Sequence, residues 1–190
     1  MIGGDLLMLF ALAAILGLIA LYIWYIYNDL VSSKMRVGEA WSQIDVQLKR
    51  RADLIPNLVE TVKGYTKHEK KLLENITRAR SALLSASSPK EKAQADNQLS
   101  GVLKSLFAVA ENYPNLKANE NFLQLQKELA DTEDKVSFSR QHHNTMVMEY
   151  NTKLQMFPNA LIAGKFNFRD KEYYEAKKED RKKVEVKFGE

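Results

Sequence analysis

The chain has 190 residues, 28 Lys or Arg against 24 Asp or Glu, a net charge of +4 and no cysteine. The absence of thiols excludes disulfides, thiolate metal sites, cysteine nucleophiles and a lipid-modified N-terminal cysteine. Basic and acidic residues alternate along most of the chain, so the small excess is diffuse, unlike the one-sided basic face with which proteins grip nucleic acid.

Leu6 to Tyr27 is 22 residues long and carries no charge. At about 1.5 Å per residue it reaches ~33 Å, which matches a hydrocarbon core of about 30 Å. Trp24, Tyr25 and Tyr27 gather at its C-terminal end, as an aromatic belt would. A core helix of this length would carry a polar face. A cleaved signal peptide would have a basic residue before the apolar run and small residues after it. Here Asp5 precedes the run and Trp-Tyr-Ile-Tyr ends it, so the reading is a retained transmembrane helix. Lys34 and Arg36 follow, then Lys49, Arg50 and Arg51. The positive-inside rule then leaves residues 1–5 as a short external tail and puts the C-terminal domain in the cytoplasm, on a single-pass cell-membrane protein.

From Leu30 onward apolar residues recur every three or four positions, which draws a stripe along a helix face. Segment one carries Leu30, Val37, Trp41, Ile44 and Leu48. Segment two carries Leu58, Val62, Tyr65, Leu72, Ile76, Ala79 and Leu83. Segment three has Leu99, Val102, Leu106 and Val109. Segment four has Phe122, Leu125, Leu129, Val136, Val147, Tyr150 and Leu154. Asp53 and Pro56 are expected to divide segments one and two, and Ser88-Pro89 followed by Glu91 to start a capped helix. Pro114 ends segment three and Pro158 ends segment four. The fold class is therefore all-α, an N-terminal transmembrane helix followed by an antiparallel up-and-down four-helix bundle. One long helix kinked at Pro56, in a three-helix arrangement, is the alternative. The bundle occupies residues 28–168 with an apolar C-terminal cap, and residues 169–190 form a charged, mobile tail. Strand-like alternation arises only at Val184–Phe188. Segment one, residues 30–51, would rise ~33 Å and segment four, residues 119–155, ~55 Å. That mismatch, together with the weak helix formers Asn28, Asp29, Ser32 and Ser33, predicts a bend after the anchor.

The stretch Ala40-Trp41-Ser42-Gln43-Ile44-Asp45-Val46-Gln47-Leu48-Lys49-Arg50-Arg51, followed by Asp53-Leu54-Ile55-Pro56-Asn57-Leu58-Val59, resembles the signature of the LemA family of bacterial membrane proteins. Gly64-Tyr65 with His68-Glu69, Ala79-Arg80, Thr132-Glu133, Tyr150-Asn151 and Phe157-Pro158 extend the likeness over the whole chain. The resemblance implies one N-terminal membrane helix and an antiparallel four-helix bundle, and brings no established biochemical activity. Against the pattern it implies, His143 stands where Tyr is usual, Asn167 where Gly is usual, and Tyr174 where Phe is common.

Glu69 falls on the stripe of segment two, and Arg140 and His143 fall near that of segment four. Buried charges must be paired, so this candidate polar core is either an internal salt bridge that fixes helix register or a metal-binding or acid–base cluster. Lys49-Arg50-Arg51 is read as ion pairing to neighbouring helices. On an upright helix it would stand ~30 Å from the membrane, beyond a Debye length of about 8 Å. His68, His142 and His143 share no helix face at metal-ligand spacing, and Glu-x-x-His, GxSxG and Gly-rich phosphate loops are absent. No metal, no cofactor and no catalytic residue is therefore expected. Phe157 to Phe168, with Phe166 between them, is the candidate interaction segment, either capping the bundle or meeting the membrane or a partner. The expected function is a membrane-anchored, non-enzymatic scaffold or adaptor for protein–protein interaction, with an unidentified protein partner, no nucleic acid, and a homo-oligomer left open. The alternatives are an envelope-associated enzyme or enzyme accessory that uses the polar cluster, and an oligomeric membrane-shaping protein.

Overall fold

In the computed structural model, residues 2–66 and 68–174 are described, and all regular structure among them is helical. Val184–Phe188 and most of the charged tail lie outside the described residues. The elements are α1 (Ile2–Lys63), α2 (Lys70–Ser85), α3 (Pro89–Ala110), α4 (Pro114–Lys117), α5 (Glu120–Gln155) and α6 (Asn159–Lys165).

The expected break at Asp53–Pro56 does not occur, because α1 runs through Pro56 to Lys63. Proline has no N–H, so the carbonyl four residues earlier, that of Ala52, loses its helical donor. Arg80 of α2 replaces that donor, its Nε lying 2.8 Å from the Ala52 oxygen. The helix ends instead where Thr66 turns back, its N–H and Oγ1 both donating to the Val62 carbonyl at 3.0 and 3.1 Å. Leu58 and Val62 are therefore buried residues of α1, and α2 buries Leu73, Ile76, Ala79 and Leu83.

The bend expected at Asn28–Ser33 is absent as well, since these residues are helical. Low propensity costs only tenths of a kcal/mol per residue, and their side chains find partners. Asn28 Nδ2 donates to the Trp24 carbonyl at 2.8 Å. Lys153 Nζ lies 2.8 Å from both Asp29 oxygens and 2.9 Å from Ser33 Oγ. With α1 ending at Lys63, its residues 30–63 rise ~51 Å against ~54 Å for α5. The length mismatch comes from ending the first helix too early.

The chain divides into two compact units, the first Met1–Trp41 with His143–Glu172 and the second Ser42–His142 with the C-terminal stretch from Tyr173. In the first, Ile26, Leu30 and Val37 pack with Val147, Tyr150, Leu154, Ile162 and Ala163. From Leu7 to Tyr25 every side chain of α1 is exposed. This is the only described helix long and apolar enough to cross a membrane.

In the second unit, α2 packs on α3, and their connection carries the expected capping box. Ser88 Oγ accepts from the Glu91 N–H at 3.2 Å, while the Glu91 carboxylate accepts from the Ser88 and Ser87 N–H groups at 3.2 and 3.0 Å. Asn119 Oδ1 caps α5 by accepting from the Phe122 N–H at 2.9 Å. Leu99, Leu103 and Leu106 of α3 are buried, as are Phe122, Leu129 and Val136 of α5.

Candidate functional site

A charged cluster lies in the core of the second unit. Arg51 belongs to the 3–4 stripe of α1 that also buries Leu48, Ile55 and Leu58. Asp96 belongs to the α3 stripe Ala93, Leu99, Leu103. Both are closed off from solvent. Arg51 Nη1 meets Asp96 Oδ1 at 2.7 Å, and its Nη2 meets Glu133 Oε2 at 3.2 Å. Arg140 Nη2 pairs with the other Asp96 oxygen. Above Arg140, 4.7 Å from its guanidinium carbon, lies the ring of the buried Tyr174. Burial pushes the Arg51 pKa down, against the pull of Glu133, and pushes the Tyr174 phenol up, against the pull of Arg140.

The arrangement is a clamp. One carboxylate, Asp96, bridges two guanidinium groups that come from α1 and α5. A polar cavity of about 390 Å³ adjoins it, lined by Arg51, Asp96, Ser100, Lys104, Glu133 and Arg140. Two carboxylates oppose the two guanidinium groups, so the cluster itself is charge-balanced. No group of three or more potential metal ligands exists among the described residues.

The trio Glu69, Arg140 and His143 is distributed over three environments. Glu69 is half-buried at the start of α2, where its Oε1 accepts from the Tyr113 hydroxyl at 3.2 Å. Arg140 belongs to the Asp96 clamp. His143 is buried in the first unit, its ring edge-on to Trp41 with centroids 5.7 Å apart. Asp96 is the core residue that sequence reasoning passes over, whereas Arg51, expected to pair with neighbouring helices, does so with Asp96 of α3 and Glu133 of α5. The signal is available, since each stands at the three- or four-residue spacing of its own apolar stripe. Of the run Lys49-Arg50-Arg51, the third residue turns inward and the first two are exposed.

In the first unit the segment Phe157–Phe168 is split between two roles. Ile162 and Ala163 join the core with Ile26, and Phe168 packs against them. Tyr27 receives Phe166 and Phe168 edge-on, with centroids 4.9 and 5.7 Å away. A Schellman turn makes this possible. The Phe168 N–H bonds the Ala163 carbonyl at 3.0 Å and the Asn167 N–H that of Gly164 at 3.4 Å. Asn167 takes φ 57°, the left-handed conformation that ends such helices. A glycine is the usual residue there, and Asn is the side chain that tolerates it next best. The opposite side of the segment is uncovered, with Phe157 83% and Leu161 66% exposed.

Beyond Phe168 the chain continues along the first unit, where the Asn151 amide clamps the Lys171 backbone, donating at 2.9 Å and accepting at 2.8 Å. Residues 169–174, expected as the start of a mobile tail, thus hold a tertiary contact at Lys171 and bury Tyr174. The remainder of that tail lies outside the described residues.

A family model described as the LemA family matches residues 40–188. Protein LemA of Metamycoplasma hominis is 27% identical over 163 residues, which cover 84% of this chain and 73% of that protein. Magnetosome protein MamQ 2 of Paramagnetospirillum magneticum and magnetosome protein MamQ of Magnetospirillum gryphiswaldense are each 26% identical over 83 residues. Those matches cover 44% of this chain and 30% of either magnetosome protein. The stretch that carries the quoted signature, the charged clamp and the terminal Schellman turn falls within the matched residues, and the chain belongs to the LemA family.

Proposed function

We propose that this protein is a membrane-tethered, non-enzymatic scaffold. In this reading the apolar part of α1 crosses the membrane with its N-terminus outside, and the remaining helices form an antiparallel up-and-down bundle on the cytoplasmic side. The observation that carries it is the continuity of α1. A fully exposed apolar stretch passes without interruption into a core helix, and Ile26, near the end of that stretch, is itself a core residue. A tether built this way orients the domain as well as confining it. Confinement to two dimensions raises the effective concentration toward membrane-side partners.

Partners of the bundle would be met by apolar side chains that the helices leave uncovered. Phe138 on α5 is 72% exposed, and Val46 on α1 and Leu123 on α5 are exposed too. Proximity labelling from a C-terminal fusion, in cells carrying the wild type or Phe138→Ser, tests the reading. Cytoplasmic neighbours that depend on Phe138 support it. Labelling confined to the outer compartment, or identical and unspecific neighbours for both proteins, sinks it.

The enzyme or accessory reading finds its one support in the polar cavity beside Arg51, Asp96 and Arg140. Glu133 is its half-exposed carboxylate. A Glu133→Gln variant that lost function in cells while keeping full stability would favour that reading over the scaffold.

A further inference from the structure

We infer that Met156, Phe157 and α6 form a second, shallow membrane contact, a foot that lies in the lipid–water interface beside the span. The inference rests on the reading that α1 crosses the membrane. Its own support is the placement of the segment within the first unit. Ile162 and Ala163 share one core cluster with Ile26, and Phe166 and Phe168 pack on Tyr27; Ile26 and Tyr27 are the two residues that end the uncharged run. A span ending at Tyr27 leaves the hydrocarbon at that level, and an element fixed to Ile26 and Tyr27 is fixed at the same level.

At and just before α6, three large apolar side chains turn away from the core. Met156 is 56%, Phe157 83% and Leu161 66% exposed. Three large apolar side chains on one short segment form a patch that water disfavours. Trp24 and Tyr25 on α1 are exposed near the same end of the span, as interfacial aromatics are. The polar neighbours also suit a headgroup layer. Lys34 reaches to 6.0 Å from the Phe168 ring, and Lys165 and Arg169 are exposed. Asp170 and Glu172 are the acidic residues of the stretch, while Asp29 is already paired with Lys153. Short apolar elements flanked by cations lie in the plane of the interface and do not cross it. The occupant of this surface is therefore bilayer lipid, supplied by the membrane that holds the span.

The chain has no cysteine, so single cysteines can be labelled uniquely with an environment-sensitive fluorophore on the full-length protein in phosphatidylcholine vesicles. Probes at Phe157→Cys and Leu161→Cys report on the foot. One at Gly17→Cys, where an added side chain meets nothing within 4 Å, reports on the span. One at the exposed Glu39, ~18 Å along α1 beyond Tyr27, serves as the aqueous reference. The expected result is blue-shifted emission at 157 and 161, quenched several-fold more strongly by shallow spin-labelled lipids than the probe at 39. Position 17 should respond best to deep spin labels. Solvent-like emission at 157 and 161 with a quenched position 17 overturns the foot and leaves the span. Blue-shifted emission at 157 and 161 that no lipid quenches means that protein covers the patch, and also overturns it. Loss of lipid quenching at 17 overturns the span and the foot together.

Discussion

The Arg80–Ala52 contact explains how α1 passes a proline, and it can be tested quantitatively. Ala52 is fully buried, so its carbonyl has no water to turn to. Arg80 Nε supplies a charged donor at 2.8 Å. A hydrogen bond with a charged partner is worth about 1.5–3 kcal/mol, and a stranded buried carbonyl costs a similar amount. Arg80→Met keeps most of the aliphatic stem and removes the donor, so about 2 kcal/mol of stability should be lost. Pro56→Ala restores an N–H at position 56 and should by itself stabilise the helix. In that background the Ala52 carbonyl has an ordinary helical donor, and Arg80→Met should cost below about 1 kcal/mol, a coupling of about 1–2 kcal/mol. Denaturant unfolding of the full chain in detergent micelles, followed by far-ultraviolet circular dichroism, measures all four corners of the cycle. Equal losses for Arg80→Met in the two backgrounds would refute the idea that Arg80 acts by replacing the proline's missing N–H.

Asp96→Ala takes a counter-charge from two guanidinium groups, one of them fully buried and left with the half-exposed Glu133, and should cost about 3 kcal/mol in the same unfolding assay. Asn167→Gly should change stability by less than about 0.5 kcal/mol, whereas Asn167→Val, forced to φ 57°, should lose about 1–2 kcal/mol. Hydrogen bonds from the Ser87 and Ser88 N–H groups hold the Glu91 carboxyl below the usual carboxylate range. A carboxyl depressed in the folded state stabilises the protein above its unfolded pKa and loses that contribution as pH falls through the folded value. Glu91→Gln should therefore lower stability at neutral pH, and the difference from wild type should shrink to nothing in acid, as a pH series of melting curves would show.

Much of the architecture is legible in the sequence because periodicity is a local signal. The stripes of α3 and α5, the capping box at Ser88 and Glu91, and the uncharged run that opens the chain can each be read within a window of some twenty residues. Local pattern misleads where a distant residue changes its meaning. Pro56 reads as a helix breaker until Arg80, 24 positions later, is seen to satisfy Ala52. Asn28 to Ser33 read as a bend until Lys153 is found between Asp29 and Ser33. The polar core is half legible. Arg140 stands out near its stripe, but its partner Asp96 escapes notice, although it interrupts the apolar stripe of α3 at helical spacing. Glu69 and His143 obey the same spacing rule, yet they bond to Tyr113 and face Trp41. One-dimensional pattern shows that a charged side chain faces inward, and it does not say which helix will answer it.

The physical case for a binding role rests on where this fold leaves its chemistry unspent. In the second unit the buried charges answer one another. Asp96 holds Arg51 and Arg140, Glu133 adds a second carboxylate, and Tyr174 covers Arg140. Such a clamp sets the register of α1, α3 and α5. It costs much to break and yields little to a passing substrate, since every charge in it already has a counter-charge. In the first unit the balance is reversed. Outside the apolar N-terminal run, Phe157 and Leu161 are left uncovered by the chain, although the same segment buries Ile162, Ala163 and part of Phe168 on the core. A sequence under no further constraint would have made those outward positions polar, as it did at Gln155 and Lys165 on either side. The apolar choice at 156, 157 and 161 therefore points to an environment outside the chain. Replacing Phe157 and Leu161 together by Ser separates that environment from folding. The unfolding free energy in detergent should hold within about 0.5 kcal/mol, because exposed side chains contribute little to the folded state. Retention on washed membranes should also hold, since in the proposed reading the apolar part of α1 supplies it. The quantity expected to move is the protection of α6 from an aqueous thiol reagent at the exposed position Ala160→Cys, which should fall in membranes and stay unchanged in detergent. Equal loss of protection in both settings would mean that the two residues serve the core after all.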